Sequence, residues 1–559
     1  MNIKPELLSP AGSPEALRAA VLGGADAVYI GGSDFNARIN ATNFTIDEIK
    51  KAADFCHKKG VRLHVTVNTL ILDREMEKAL EYIRDLYLCG VDALICADMG
   101  LAREIHKHFP DFELHASTQM SGHNSDAAKT LAEMGFSRMV CAREMSREDI
   151  STLCKSSPID IEMFIHGAIC VCHSGQCLMS SLIGGRSGNR GLCAQPCRMQ
   201  YNGSYPLSIK DMCLASHITE ILELGVRSLK IEGRMKSPEY VYGVTRIYRK
   251  LLDEGRNATE KELKELRDLF SRSGFTDGYF VSRISKQMNG VRSEEDKRAT
   301  MRTRQSFSDH SKNKPIPPYQ RYFDGELTLT DYPKEKAKKC LCARFNDPKS
   351  IPAEHPFDIV YLPLEKFDAS KANGVILPPV IYDRDMRAVK KALESCSAEH
   401  IMVTNIGQFG LARESGMEMH GDFRLNAFNS LSADILIKMG LSDIILSVEL
   451  TLAQIRDIIL QKAVIIYGSQ PLMLLEKRLE QRVLRDRKNA DFLLIAEGQR
   501  DILYNSQKTY MLDREKELKA AFINNRHFIF TNESPKEVVS ILKAYKEHTP
   551  KNGGVRRIK

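Results

Sequence analysis

Five of the fourteen cysteines in the chain lie between positions 170 and 197. Four of them, Cys170, Cys177, Cys193 and Cys197, have the spacing C-x6-C-x15-C-x3-C on a glycine-containing segment. Four thiolates on such a loop can wrap a cubane iron–sulfur cluster, for which irregular spacing is common. A structural zinc site usually has two short cysteine pairs, and only Cys193 and Cys197 form one. The spacing favours an iron–sulfur cluster, and zinc and buried unliganded thiols are the alternatives.

A loop rich in glycine and arginine separates the two halves of this segment and contains Arg186 and Arg190. Guanidinium groups bind carboxylates and phosphates through paired hydrogen bonds, so an anionic substrate beside the cluster is one interpretation. The other interpretation is that both arginines pair with nearby acids or balance the negative charge of the thiolates. The sequence alone does not choose between them.

Short β-rich runs alternate with amphipathic helical stretches through residues 1–255. The runs predicted to be strands are Glu6–Ser9, Ala27–Gly31, Arg62–Thr69, Ala93–Ala97, Glu113–Thr118, Arg138–Ala142, Asp160–Ile165 and Ser228–Glu232. Eight β–α units in about 250 residues are typical of a TIM-type (β/α)8 barrel, an α/β fold. A doubly wound open sheet is the structural alternative. Polar residues recur at the ends of the runs, where a barrel has its active site.

The second half of the chain repeats the first half in degenerate form. A shift of 305 residues aligns His115 with His420, Asn124-Ser125 with Asn429-Ser430, and Glu144 with Glu449. The repeat predicts a second, partial barrel-like α/β domain without the cysteines. We therefore divide the chain into a catalytic barrel (1–270), a basic linker with a small connecting region (271–350) and a degenerate repeat (351–559) with an accessory or RNA-binding role.

Two segments are rich in basic residues. The first, within 271–321, contains Arg283, Lys286, Arg292, Lys297, Arg298, Arg302, Arg304, Lys312, Lys314 and Arg321. The second is predicted to be a helix over 477–488, with Lys477, Arg478, Arg482, Arg485, Arg487 and Lys488. Contact with a nucleic-acid backbone and an ordinary solvated surface are both consistent with these segments. The formal net charge of +8 allows a polyanionic partner without requiring one.

The composition, 43% hydrophobic and 27% charged, is ordinary for a soluble globular protein. No apolar stretch approaches the roughly 20 residues of a membrane span, and the first residues lack the apolar region of a signal peptide. The cysteines are too sparse for a disulfide scaffold. We expect a cytoplasmic protein without a membrane partner, and the sequence leaves its oligomeric state undetermined.

The cysteine segment and the strands around it resemble the collagenase-like U32 peptidase family. The elements of the family signature are found at Glu162, Phe164, Gly167-Ala168-Ile169-Cys170, Gly175-Gln176-Cys177 and Ser180. The likeness covers most of residues 4–285 and extends to the run from Lys230 to Lys236. The degenerate second half is most similar to the long ribosomal-RNA cytidine hydroxylase subgroup.

The resemblance implies a TIM barrel with a [4Fe–4S] cluster that hydroxylates aromatic rings without molecular oxygen, with prephenate as the oxygen donor. Relatives of this kind modify a cytidine of the large ribosomal RNA, the wobble uridine of transfer RNA, or ubiquinone precursors. We expect an enzyme that hydroxylates an RNA pyrimidine: a 23S ribosomal RNA cytidine or, as a second choice, a tRNA wobble uridine. Its expected partners are RNA and the small-molecule oxygen donor.

The same resemblance assigns cluster ligation to Cys170, Cys177, Cys193 and Cys197, with Cys172 and Cys213 as alternatives for the fourth ligand. Position and chemistry suggest roles for the polar residues at the barrel mouth. The residues expected to move protons are Glu162, His166 and Glu232. Those expected to bind the anionic donor are Arg186, Arg190, Arg234 and Lys230.

Two other functions remain open from the sequence. One is a peptidase, as the family name says, although no Ser-His-Asp arrangement is evident and an all-thiolate site suits hydrolysis poorly. The other is a non-catalytic RNA-binding protein in which the cluster only stabilises the fold.

Overall fold

A computed structural model describes residues 4–38, 42–303, 305–335 and 337–551 of the chain. The strands in the first half are β1 (Glu6–Pro10), β2 (Ala27–Gly31), β3 (Arg62–Val67), β4 (Ala93–Cys96), β5 (Glu113–Ala116), β6 (Arg138–Val140), β7 (Asp160–Gly167), β8 (Asp211–Cys213), β9 (Ser228–Ile231) and β10 (Phe275–Thr276). The helices there are α1 (Pro14–Leu22), α2 (Ile46–Lys58), α3 (Met76–Leu88), α4 (Met99–His108), α5 (Ser125–Glu133), α6 (Arg147–Ser156), α7 (Met179–Gly184), α8 (Ile218–Glu223), α9 (Pro238–Glu254), α10 (Glu260–Leu269) and α11 (Glu294–Arg302).

Strands β1 to β7 and β9 form a closed barrel of eight parallel strands. Each strand pairs with the next along the chain, and β9 pairs with both β1 and β7 to close the ring. The helices cover the outside, so strands such as β2 (sequence AVYIG) are buried on both faces and apolar throughout. The closure confirms the predicted TIM-type barrel and excludes the open-sheet alternative.

The strands in the second half are β11 (Cys340–Phe345), β12 (Ile359–Pro363), β13 (Gly374–Ile376), β14 (His400–Val403), β15 (Glu418–Gly421), β16 (Asp443–Ile445), β17 (Lys462–Leu475), β18 (Val483–Arg485), β19 (Asp491–Glu497), β20 (Arg500–Tyr510) and β21 (Asn525–Phe530). The helices there are α12 (Asp383–Glu394), α13 (Phe409–Ser415), α14 (Ser430–Lys438), α15 (Leu452–Asp457), α16 (Glu515–Ala520) and α17 (Pro535–Lys546).

The second half also forms a barrel, as the repeat predicts. Strands β11 to β17 and β21 are parallel, and the pairs β16–β17, β17–β21 and β11–β21 close a second ring of eight strands. The ring is therefore complete rather than partial, because β21 supplies the eighth strand far beyond the region where the repeat is recognisable. Strand β17 continues past the barrel rim and pairs antiparallel with β20, which in turn pairs with β19.

The two barrels meet mouth to mouth, and their contacts repeat each other. Asn124, which begins α5, donates from Nδ2 to the Ile381 carbonyl at 2.8 Å, and its repeat partner Asn429 donates to the Ile71 carbonyl at 2.8 Å. The neighbouring pairs are Ser125 with Asp383 (2.6 Å) and Ser430 with Asp73 (3.0 Å). All of these groups lie in loops that follow strands or at the first residues of the helices after those loops. The internal repeat thus folds into a pseudo-twofold interface between the two active-site faces.

Residues 310–321 of the basic linker lie on the opposite side of the first barrel. Backbone hydrogen bonds join His310 to Leu22 and Ile316 to His57, next to the loops that precede β2 and β3. The Arg321 guanidinium lies over Tyr319, 4.5 Å from the ring centre, and Lys312 pairs with an aspartate at 2.9 Å. Several of these cations are therefore engaged within the protein on the face away from the mouth. Arg304 lies outside the described residues.

The predicted helix over 477–488 is wrong. Lys477 is buried, and residues 483–497 form a β-hairpin of β18 and β19 instead. The turn is built by Asp486, whose carboxylate accepts from the backbone N–H groups of Lys488 and Ala490, and by Asn489 at a φ of 61°. Aspartate and asparagine stabilise such turns at the expense of a helix. In the described part of the chain, no helix combines the length and apolarity required for a membrane span.

Candidate active site

A cavity opens at the carboxyl ends of the strands of the first barrel. The residues that line it are Tyr29, Ala37, Arg38, Thr66, Asn68, Ile95, Ser117, Thr118, Gln119, Val140, Arg143, Phe164, Lys230, Glu232 and Arg234. They follow or end seven of the eight barrel strands, which is where TIM barrels place catalytic groups. The cavity is strongly basic, because four cations surround a single carboxylate among its described lining residues.

Glu232 lies at the centre of these charges. Its carboxylate is 3.5 Å from an Arg38 nitrogen and 3.4 Å from an Arg143 nitrogen. Burial opposes ionisation of Glu232, but the charges of Arg38, Arg143 and Arg234 outweigh it and lower the pKa. Glu232 is therefore a carboxylate at neutral pH, and the surplus of positive charge around it suits a ligand with further negative groups.

Aromatic rings and buried hydrogen bonds hold the cations in place. The Arg143 guanidinium lies 4.0 Å above the centre of the Phe164 ring, and the Lys230 ammonium lies 4.7 Å from the Tyr29 ring centre. Arg234 is buried and donates to the Thr66 hydroxyl at 2.8 Å and to an Asn36 oxygen at 3.1 Å. Because these side chains are already fixed, binding of a ligand costs less conformational entropy for ordering them.

The four predicted ligand cysteines come together beside this cavity. Burial and the neighbouring charges of Cys170, Cys177 and Cys193 raise the pKa of Cys197 to about 12. Burial also raises the pKa of Cys170, while the nearby charges of Arg143 and Arg38 oppose this shift. The charges of the two arginines that hold Glu232 thus reach Cys170, and the Arg143 backbone N–H donates to Ser174 Oγ in the cysteine segment at 3.2 Å, so the cysteines and the cavity belong to one site.

The donor set fits an iron–sulfur cluster. Four thiols of one loop segment are its usual ligands. In the described part of the chain, no three of these cysteines have their sulfur atoms all within 4.8 Å of one another. Four thiolates on one tetrahedral zinc ion, at a Zn–S distance of about 2.3 Å, would lie about 3.8 Å apart. These sulfur positions do not match a single tetrahedral zinc ion, and the four-thiol donor set is one that iron–sulfur clusters use.

The two alternative ligands differ in position. The Cys172 thiol hydrogen-bonds to Cys177 and accepts from the Leu474 backbone N–H at 3.4 Å, so it borders the cluster site but faces the second barrel. The Cys213 thiol, on β8, lies 3.7 Å from the hydroxyl of Tyr248 on α9. Of the two, only Cys172 is adjacent to the predicted ligands.

Two predicted proton carriers lie away from the cavity wall. Glu162 is fully buried between Lys230 (2.7 Å) and Arg138 (3.3 Å). Burial raises its pKa, but these two cations lower it overall to about 2. His166 is buried with its Nδ1 3.3 Å from the Tyr248 hydroxyl, and burial lowers its pKa to about 3. Glu162 serves to balance two buried cations, whereas Glu232 is exposed to the cavity.

Replacement of Glu162 by glutamine is expected to lower stability more than any change of a surface carboxylate. It leaves the buried Lys230 without its carboxylate partner, while Arg138 keeps its ion pair with Glu6 (2.7 Å), at a cost of about 3–5 kcal/mol. The folded-state pKa of Glu162 lies below its ordinary value of 4.5. The stabilisation is therefore complete above pH 4.5 and lost as the pH falls towards 2.

Thermal unfolding at pH 7 and at pH 4 to 2 tests this prediction. The wild type should lose stability across the acid range, and Glu162→Gln should have a lower Tm with a weaker pH dependence. Glu148→Gln, at a mostly exposed ion pair with Arg147, is the control. Equal Tm values for Glu162→Gln and the control at pH 7 would contradict the assignment.

The predicted anion-binding residues separate into two groups. Lys230 and Arg234 line the cavity, whereas Arg186 and Arg190 do not. Both terminal nitrogens of Arg190 bind the Glu75 carboxylate, at 2.7 and 2.8 Å, and Arg186 is exposed and donates to the Leu192 carbonyl at 3.0 Å. The interpretation that these arginines pair within the protein therefore fits Arg190. Both terminal nitrogens of the Arg190 guanidinium are already bound to the Glu75 carboxylate, so they are not available to a ligand.

Arg38 and Arg143 line the cavity but were not assigned a role from the sequence. Both come shortly after a strand, β2 and β6 respectively, and this is the signal that could have identified them. Many other polar residues occupy similar positions, and only the closed barrel brings these two together on Glu232. A sequence pattern cannot distinguish them from arginines that pair elsewhere.

The second barrel holds the cysteine loop in place. The backbone N–H groups of His173 and Leu178 donate to the carbonyls of Leu474 and Leu472 on β17, at 2.7 and 2.8 Å. The His173 ring binds Glu476 at 3.1 Å. The loop thus lies along the extended part of β17, with an isolated bridge between Cys172 and Leu475, and the second barrel supports the cysteine site.

A cluster held by the four cysteines would be retained less well in Glu476→Gln, whose substitution leaves the ligands unchanged. Burial raises the pKa of Glu476, but the hydrogen bond from His173 and the charge of Arg500 lower it overall to about 2. The neutral glutamine side chain cannot replace the carboxylate that binds both His173 and Arg500. The cysteine loop should therefore separate from β17 more often. We expect several-fold faster loss of cluster absorbance under a chelator than in the wild type. Glu480→Gln, at an exposed ion pair with Lys286, should behave like the wild type; equal rates in all three proteins would contradict the prediction.

Comparison with known proteins places the chain in a family. The model of peptidase family U32 matches residues 12–290 and 370–474, which is more than half of the chain and includes parts of both barrels. The chain belongs to peptidase family U32. The first matched range contains every cavity cation and all four cysteines, so the site described above lies within the family region.

Three relatives show the range of names within the U32 family. A 23S rRNA 5-hydroxycytidine synthase of Escherichia coli is 42% identical over 50% of this chain and 43% of its own length. The tRNA hydroxylation protein P1 of Bacillus subtilis is 40% identical over 45% of this chain and 63% of its own length. A collagenase of Porphyromonas gingivalis is 34% identical over 50% of this chain and 75% of its own length. The chain thus matches less than two thirds of the first two relatives.

Proposed function

We propose that the chain is an iron–sulfur-dependent hydroxylase of an RNA pyrimidine that takes its oxygen atom from prephenate. The observation that carries the proposal is the adjacency of a four-cysteine cluster and a cation-lined cavity at the mouth of the first barrel. Two relatives named for hydroxylated RNA, at 42% and 40% identity, support RNA as the substrate. A cytidine of 23S ribosomal RNA is the first candidate and the tRNA wobble uridine the second.

Cys170, Cys177, Cys193 and Cys197 would hold a [4Fe–4S] cluster. Such a cluster, when bound, supplies redox chemistry to activate the oxygen donor. Arg38 and Arg143 line the cavity, and the Arg143 backbone contacts the cysteine segment, so their guanidinium groups are placed to bind the carboxylates of prephenate on that side of the cavity. The Phe164 ring below Arg143 offers an apolar surface for the ring of the donor.

Glu232 is the candidate for proton movement. It is the one acidic side chain among the described residues that line the cavity, and its lowered pKa keeps it ionised and able to accept a proton. Lys230 and Arg234 complete the positive wall. The second barrel, which contacts the mouth of the first, supports the cysteine loop and limits access of water. We place the reaction in the cytoplasm, where ribosomal and transfer RNA are found.

Mass spectrometry of nucleosides from ribosomal and transfer RNA tests the proposal. RNA from a strain that lacks the gene should lack one hydroxylated pyrimidine, and wild-type protein should restore it. The position of the missing modification identifies the substrate. Identical nucleoside profiles with and without the gene would contradict RNA hydroxylation.

The collagenase name of one relative makes peptide hydrolysis the second candidate. A serine peptidase needs a base within hydrogen-bond reach of its nucleophile. Ser117, on the cavity wall, instead contacts an Asn68 nitrogen at 3.5 Å, and His166 contacts Tyr248. Incubation of the purified protein with collagen and with peptides, before and after removal of iron, separates the two functions. Cleavage that does not depend on iron would favour the peptidase.

A further inference from the structure

Two histidines and a glutamate meet at the floor of the second barrel, at the end opposite its mouth. His400, Glu418 and His420 lie at or near the first residues of neighbouring strands β14 and β15. His400 pairs with Glu418 and Met402 with His420 in the parallel register, and Met402 belongs to the barrel interior. The three side chains therefore point into the same end of the barrel.

The ligand-type atoms of these residues are close enough to share one metal ion. His400 Nδ1 is 3.1 Å from His420 Nε2 and 3.2 Å from a Glu418 oxygen, and the third separation is 3.9 Å. Ligands at about 2.1 Å from a tetrahedral metal ion would lie about 3.4 Å apart. In the part of the chain that the structure describes, this is the one group of three such residues with that geometry.

The groups behind the triad also match a metal site. The second ring nitrogen of His420, Nδ1, lies 3.1 Å from an Asp443 oxygen, and the same oxygen accepts from Asn525 at 2.8 Å. A carboxylate that binds the far nitrogen of a ligand histidine fixes its ring orientation and makes it a better ligand. The other Asp443 oxygen is buried without a hydrogen-bond partner. The two carboxylates carry the negative charge that a divalent cation would balance, and the two imidazoles would bind it as neutral ligands.

The first barrel contains a matched site that lacks one ligand. Glu113 and His115 correspond to Glu418 and His420 in the repeat, and their side chains lie 2.8 Å apart. The strand partner of Glu113 is Ala93, where the second barrel has His400, and Arg62 forms an ion pair with Glu113. In the first barrel, the Arg62 guanidinium thus provides the positive charge beside Glu113 and His115. In the second barrel, His400 provides the third ligand beside Glu418 and His420.

We propose that His400, Glu418 and His420 bind a divalent transition-metal ion, zinc by preference, at the floor of the second barrel. Imidazole and carboxylate ligands suit zinc, and three protein ligands leave a fourth position for water. Glu418 is half exposed, so water and the ion can reach the site. The ion would join β14 to β15 and stabilise the barrel that supports the cysteine loop. It lies at the end away from the mouth and is independent of the proposed hydroxylation.

Zinc titration of the purified, cluster-containing protein by calorimetry tests the proposal. The wild type should bind one zinc ion. His400→Ala, which introduces the residue found at Ala93 in the first barrel, and Glu418→Gln should each bind that ion at least ten-fold more weakly. Zinc should raise the Tm of the wild type and not of these variants. Glu399→Gln, at the exposed neighbouring carboxylate, should behave like the wild type.

None of these variants changes a cysteine, so zinc bound by the cysteines would be the same in all of them. A loss of zinc affinity in Glu418→Gln therefore reports on the proposed site alone. Glu418→Gln alters a half-exposed side chain and should fold even if His400→Ala does not. Unchanged zinc affinity in Glu418→Gln, or equal weakening in Glu399→Gln, would overturn the proposal. Absence of any zinc binding by the wild type would overturn it as well.

Discussion

Replacement of Cys193 by serine is expected to remove both the cluster and RNA hydroxylation. A serine hydroxyl is a poor ligand for iron, and the other three thiols come from the same segment, so the loss of one should release the whole cluster. Iron and acid-labile sulfide should fall to background in anaerobically purified Cys193→Ser. The hydroxylated nucleoside should be absent from RNA of a deletion strain that carries this variant.

Further serine variants define the ligand set. Cys170→Ser, Cys177→Ser and Cys197→Ser should behave like Cys193→Ser, whereas Cys396→Ser, at a cysteine on the outer surface of the second barrel, should keep its iron. Cys213→Ser should also keep its iron, because that thiol contacts Tyr248. Loss of iron in Cys213→Ser together with retention in Cys197→Ser would show that the assigned fourth ligand is wrong.

Replacement of Arg143 by glutamine is expected to raise the KM for prephenate strongly while the cluster remains. Arg143 lies between Glu232, Phe164 and the Cys170 thiol, so it is the side chain best placed to bind a donor carboxylate beside the cluster. Loss of a charge-assisted hydrogen bond costs about 1.5–3 kcal/mol, which corresponds to roughly 10- to 150-fold. We expect a rise in KM for prephenate of this size, with unchanged iron content and absorption spectrum.

The controls for Arg143→Gln separate charge from folding. Arg143→Lys keeps the charge and should recover part of the affinity for prephenate, although a lysine cannot reproduce the fork. Arg147→Gln changes a half-exposed arginine that pairs with Glu148 and should leave KM unaltered. An unchanged KM in Arg143→Gln would place the donor elsewhere in the site.

The sequence predicted the first barrel well because its signals are local. Each strand is a short apolar run between turn residues, and eight such runs in one domain restrict the fold strongly. The second barrel was harder to predict, since its last strand, β21, follows the antiparallel extension of β17 and β20 and has no counterpart in the recognisable repeat. The helix predicted over 477–488 does not form, because Asp486 and Asn489 build a turn there.

The site itself was only partly predictable. The cysteines could be identified because their spacing is a property of the chain. The roles of the arginines depend on which acid each one meets, and that is set by closure of the barrel: Arg190 meets Glu75, whereas Arg38 and Arg143 share Glu232. Likewise, Glu162 belongs to the family signature, but the structure places it between two buried cations. A motif residue can thus be required for folding instead of chemistry.

The most direct test of the proposed function is hydroxylation with purified components in the absence of oxygen. Anaerobically purified protein, with its iron and sulfide measured, is mixed with RNA from the deletion strain with or without prephenate, and the nucleosides are analysed by mass spectrometry. The proposal predicts one hydroxylated pyrimidine that requires the cluster and prephenate and that forms with a higher KM for prephenate in Arg143→Gln. A colourless protein that contains zinc in place of iron, or hydroxylation that proceeds without prephenate, would contradict it.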